Sequence, residues 1–162
     1  MQFTKTKEDV IRSGTWSFFL MRELKCSEKL SSFSLDEILS AVMKSKFHIW
    51  QGEDIAEQDL KLNTYGYYDN SKLISSDYVS IDFNFFKIKL LSIVNEWNKN
   101  EKVFTENVEA LINENLNPNA YYFFLEPGSD KIAQFHTYSF FCGCIIIDRE
   151  INTATLIELG QD

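Results

Sequence analysis

The stretch that most narrows what this chain can fold into is its last forty or so residues. Tyr121 to Leu125, Thr137 to Ile147 and Ala154 to Leu159 are runs of aromatic and β-branched side chains, separated by turn chemistry at Glu126-Pro127-Gly128-Ser129-Asp130 and at Asp148 to Thr153. Such side chains fill a pleated surface, and Gly, Pro, Asn and Asp punctuate it. The reading is a three-stranded antiparallel meander that closes the chain.

Upstream the periodicity reads as helical. Thr6 with Glu8 and Asp9 opens a first helix to about Lys25, on which Val10, Trp16, Phe19, Leu20 and Leu24 form a stripe widened by Phe18 and Met21. Gly14 weakens it by about 1 kcal/mol relative to alanine. A second helix follows Ser34, with Glu37 three residues on as in a capping box and Leu35, Ile38, Leu39, Val42 and Met43 on one face. From His48 to Ser76 the periodicity fails and turn residues dominate. A third helix covers about Ile81 to Asn98, with Phe86, Leu90, Ile93, Val94 and Trp97 on one side, although Tyr78 to Phe83 also alternates like a strand. Thr105 and Glu106 open a short fourth helix with Val108, Leu111 and Ile112, closed by the Asn-rich stretch Asn113 to Asn119. The expected fold class is therefore α+β: about four helices, then a C-terminal three-stranded antiparallel sheet with the helices packed on one face, in a single domain over residues 1–162.

Charge limits the partners. Twenty-four acidic against sixteen basic side chains leave a formal charge of −8, which repels phosphate backbones and anionic headgroups and favours a basic protein. The N-terminus has no signal-peptide layout, and the apolar runs Trp16 to Met21 and Phe140 to Ile147 are far shorter than the roughly 20 residues of a spanning helix. Three cysteines in such a chain read as reduced thiols, and the expected compartment is the cytoplasm.

Residues that could carry chemistry are few. Cys142-Gly143-Cys144 places two thiols on one strand face, but His136 lies about 20 Å along a regular strand, and small buried hydrophobes explain the pair; neither a metal nor a cofactor is expected. His48 and His136 are the acid–base candidates for a small hydrolase or nuclease, and no phosphate loop, nucleophile elbow or HExxH pattern accompanies them. The protein is expected not to be an enzyme. Between Gln51 and Asp82, acidic residues and tyrosines alternate with Gly, Asn and Ser. Rigid amphipathic rings set among adaptable polar residues make a contact surface, and carboxylates speed encounter with a basic partner. The partner-binding candidates are Glu53, Asp54, Glu57, Asp59, Tyr65, Tyr67, Tyr68 and Asp69. The alternative is an acidic solvated loop whose tyrosines pack on the core.

The ending, from Phe140-Phe141-Cys142-Gly143-Cys144 through Asp148-Arg149-Glu150-Ile151-Asn152 to Glu158-Leu159-Gly160, resembles the closing strand pair of small bacterial immunity proteins, including those of contact-dependent growth inhibition systems. The resemblance implies a short acidic protein that binds a toxin domain, often a nuclease, and blocks it. It assigns no toxin-binding residue. Two other readings stand beside it: a histidine-dependent hydrolase or nuclease, and a phage or regulatory adaptor that binds a host protein.

Overall fold

The computed structural model describes residues 1–14, 17–48, 63–97, 101–134 and 139–161. Its centre is an antiparallel sheet of six strands: β1 (Phe3–Arg12), β2 (Ser17–Cys26), β5 (Tyr78–Ile81), β6 (Tyr121–Leu125), β7 (Phe140–Asp148) and β8 (Thr153–Gln161), in the order β1-β2-β8-β7-β6-β5. A separate two-stranded hairpin is formed by β3 (Thr64–Tyr65) and β4 (Tyr68–Asp69). The described α-helices are α1 (Leu35–Met43), α2 (Phe83–Trp97) and α3 (Lys102–Asn115).

This overturns the four-helix arrangement with a small terminal sheet. The segment expected to be the first helix is the β1–β2 hairpin, paired from Phe3↔Cys26 to Arg12↔Phe18 with a bulge between Lys5 and Lys7. The physical reason is burial on two sides. Phe18, Phe19, Leu20 and Met21 are consecutive and all buried, Phe19 and Met21 on one face and Phe18 and Leu20 on the other. A strand covered on both faces loses its alternation, and its apolar spacing then imitates a wide helical stripe. β7 and β8 are buried in the same two-sided way over most of their length. The three C-terminal strands do pair as neighbours, but as half of the larger sheet.

Nor do the helices share one face. Ile38, Leu39, Val42 and Met43 of α1 pack with Leu24, Phe123, Phe141, Ile145, Ile147 and Leu156. Phe86, Leu90 and Val94 of α2, with Phe104, Val108 and Ile112 of α3, pack with Phe19, Met21, Tyr122, Phe124, Cys142, Cys144, Ile146, Ile157 and Leu159 on the opposite face. Three layers result, because a central sheet apolar on both sides must be covered on both.

Local rules set the element ends. Ser34 Oγ accepts from the Glu37 amide at 3.2 Å and the Glu37 carboxylate accepts from the Ser34 amide at 2.8 Å, a complete capping box at the start of α1. The ambiguous segment resolves as a strand followed by a helix: β5 ends at Ile81, and Asp82 Oδ1 accepts from the Phe85 amide at 3.0 Å at the start of α2. In the β7–β8 turn, Asn152 adopts φ +63°, accepts from the Leu30 amide at 2.7 Å and donates to the carbonyls of Cys26 and Glu28. That one side chain ties the end of β2 to the turn. No described helix is long and apolar enough to cross a membrane.

Candidate functional site

The β3–β4 hairpin brings Tyr65, Tyr67 and Tyr68 of the acidic stretch together. Thr64 pairs with Asp69 and Tyr65 with Tyr68 around a two-residue turn, and Gly66 takes φ +61°, a conformation glycine adopts without strain. A Cβ on Gly66 would also lie 2.1 Å from the Phe141 ring, so the turn sits hard against the sheet.

The hairpin's residues differ in burial. Tyr65 is fully buried, stacked on His48 with ring centroids 3.8 Å apart and lying over Gly143, where a Cβ would come within 2.7 Å of the ring. It belongs to the core and presents nothing to a partner. Tyr67 and Tyr68 are half-buried, their hydroxyls 3.0 Å apart. The Tyr67 carbonyl accepts from the Ala133 amide at 2.9 Å, and Tyr68 forms a β-bridge with Ile132. Burial, followed by the neighbouring Tyr67 hydroxyl, pushes the Tyr68 phenol well above its usual range. Asp69 accepts from the Ser71 hydroxyl at 2.6 Å and the Ser71 amide at 3.0 Å, with Lys72 at 4.0 Å; the Ser71 hydroxyl bond leads in holding its carboxyl below the usual range. Glu53, Asp54, Glu57 and Asp59 lie outside the described residues, as does His136.

Two clefts flank α1. One of about 550 Å³ lies between α1 and the segment after the hairpin, lined among others by Met43, Lys44, Asn70, Ser71 and Leu73. The other, of about 660 Å³, is open and lies against the start of β1, lined by the apolar Phe3, Phe33 and Phe47 and by both signs of charge, Lys44 and Lys46 with Asp36 and Glu37.

Beneath the hairpin is a polar cluster. His48 is fully buried; its Nδ1 donates to Asn70 Oδ1 at 2.8 Å and its Nε2 accepts from the Tyr78 hydroxyl at 2.6 Å. Burial, opposed by the Asn70 bond, pushes its pKa down to about 4, so the ring is neutral at neutral pH. Arg22 Nε donates to Glu8 Oε2 at 2.7 Å, and Nη1 donates to the Phe47 carbonyl at 2.8 Å and lies 3.8 Å from Glu158 Oε1. Glu158 is fully buried, and neither of its oxygens has a hydrogen-bond donor among the described residues.

Sequence reasoning singled out His48 and missed Arg22 and Glu158. Glu158 carried a signal, a lone charge between Ile157 and Leu159, whereas Arg22 stands beside Glu23 in Met21-Arg22-Glu23-Leu24 and carried none. Cys142 and Cys144 are both buried under α2 and α3, and among the described residues no group of three metal-ligating side chains converges.

No protein-family model and no curated protein matches the chain. Among solved structures, two crystal forms of citrus MAF1 are similar to it at 14% identity over 94% of this chain. They cover 91% and 90% of the matched chains with TM-scores of 0.48 and 0.42. A likeness at that level assigns no function to this protein.

Proposed function

We propose that the protein is an immunity-type inhibitor, acting in the cytoplasm by binding a basic toxin domain, a nuclease by preference, without catalysis of its own. The observation that carries this reading is the way the hairpin presents Tyr67, Tyr68 and Asp69. The turn is seated against Phe141, its other edge is bonded to Ala133 and Ile132, and the two phenols are hydrogen-bonded to each other. Aromatic rings held in advance lose little entropy on binding, which is how contact residues gain affinity. The net charge of −8 supplies long-range attraction to a basic surface. Both nitrogens of His48 are already committed and the ring has no surface, which favours a binding role over a histidine-dependent hydrolase.

Tagged protein expressed in its native cell is expected to retain one basic toxin fragment at equal stoichiometry at physiological salt. Replacing Tyr67 and Tyr68 by alanine, each with about 1–2 kcal/mol of binding at stake, weakens that complex about tenfold or more by calorimetry, and Asp69→Lys slows association. Capture of a host regulator would replace this reading with an adaptor. Turnover abolished by His136→Ala would replace it with an enzyme.

A further inference from the structure

The polar cluster beneath the hairpin holds a second, separate device. Glu8 and Arg22 are directly paired across β1 and β2, and Glu158 lies diagonal to Arg22 across β2 and β8, since Arg22 pairs with Leu156 and Glu158 with Leu20. Directly paired and diagonal positions of this kind share a face. One guanidinium thus stands between two carboxylates, with its Nε spent on Glu8 and its Nη1 on the Phe47 carbonyl. The near contact to Glu158, 3.8 Å, is too long for a hydrogen bond. Glu8 is part-exposed on the edge strand, whereas Glu158 is sealed in.

We infer that Arg22 is a proton-gated latch on the edge strand β1: while Glu158 is protonated the guanidinium clamps Glu8, and when Glu158 loses its proton the guanidinium moves inward to it and the hold on β1 loosens. A buried carboxylate without donors is tolerated as the neutral acid, while as the anion it demands the nearest cation. Its surroundings agree. Burial, opposed by Arg22 and reinforced by the Glu8 charge, pushes the Glu158 pKa up to about 7. Burial also works against the Glu8 charge, but its bonds to Arg22 and Lys5 outweigh that and keep its carboxyl below the usual range. The other titratable groups nearby are Tyr65 of β3, Tyr78 of β5 and Cys144 of β7. Burial pushes all three well up, so they are neutral, as is His48. Arg22 and Glu8 are therefore the charges to which Glu158 responds.

The test is a carboxyl-carbon NMR titration of the full chain from pH 4.5 to 9, with the Arg22 Nε–H resonance followed in the same samples. The Glu158 carbon is expected to titrate with a midpoint near 7, and the Arg22 Nε–H signal to move with that midpoint as its bond to Glu8 is lost. Glu158→Gln is expected to freeze the Arg22 signal at its low-pH position. Glu8→Gln sits on the exposed side and keeps the core intact, so it provides a test should the first variant not fold. By removing the competing acceptor it is expected to lower the Glu158 midpoint by at least one pH unit. A Glu158 midpoint below 5 in the native protein, an Arg22 signal indifferent to it, or an unchanged midpoint in Glu8→Gln would each overturn the latch.

Discussion

The two faces of the central sheet are built from the same strands and solve different problems. The face under α2 and α3 is apolar over its centre: Phe86 and Phe124 meet with ring centroids 5.4 Å apart, Leu90, Val94, Val108 and Ile112 fill the rest, and the buried carboxylate of Asp148 is confined to the end of β7, where it accepts from Asn117. The face under α1 and the hairpin buries His48, Arg22 and Glu158 among its aromatic residues. An apolar face derives its stability from area and fit alone. A face with a polar cluster gives up some of that stability, since buried charges seldom repay their desolvation, and in exchange it places titrating groups beneath the hairpin that carries the proposed contact residues.

The comparison breaks most sharply under large-to-small substitution. Phe86→Ala removes a ring with no exposure from the apolar face, and urea unfolding is expected to show a loss of about 3–5 kcal/mol. That loss is expected to be the same at pH 5 and pH 8, because none of the charged cluster groups touches the cavity. A strong pH dependence of the loss would mean that the two faces are coupled through the sheet.

How much of this division could be read in the residues depends on the element. Ser34 and Glu37 announce α1 because a capping box is a local hydrogen-bond pattern that needs no tertiary partner. The β7–β8 hairpin is equally legible, since Asp148 to Thr153 is turn chemistry between two β-rich runs. β2 is not legible, because a strand covered on both faces has no alternation to display, and the short β1 pattern beside it begins with side chains that also suit a helix start. Within the candidate site the tyrosines look alike in the sequence: nothing local distinguishes Tyr65, stacked in the core over Gly143, from the half-buried Tyr67 and Tyr68. Glu158 is legible as an anomaly, whereas its partner Arg22 lies 136 positions earlier, on a strand whose apolar spacing imitates a helix.

A smaller effect separates the faces through their glycine. Gly143→Ala puts a methyl group 2.7 Å from the Tyr65 ring and 3.2 Å from its hydroxyl, whereas the neighbouring Cys142 and Cys144 point to the other face. Overpacking of this size costs about 1–3 kcal/mol, and it displaces the Tyr65–His48 stack, which ring-proton NMR shifts would report. Cys144→Ala removes one buried sulfur under α2 and is expected to leave those shifts unchanged. Equal perturbation of the His48 ring by both variants would erase the distinction between the faces.

The smallest expected effect is a slope close to zero, and it tests the polar face most directly. Glu158 holds its proton to about pH 7 in the folded chain against an ordinary 4.5, so between those values the folded state binds more protons and stability falls as pH rises. His48 titrates near 4 when folded against an ordinary 6.5, so between those values the unfolded state binds more protons and stability rises with pH. From 4.5 to 6.5 the two slopes, each about 1.4 kcal/mol per pH unit, oppose one another and the net dependence nearly vanishes. The carboxyls held below their usual range act at lower pH and leave this window alone. Glu158→Gln removes one arm of the balance. Its stability by urea unfolding is expected to climb by about 3 kcal/mol between pH 4.5 and 6.5, while the native chain stays flat there and weakens only toward pH 7. A variant profile as flat as the native one would mean that the calm of the native curve owes nothing to opposing buried groups, and that the polar face is as inert to protons as the apolar one.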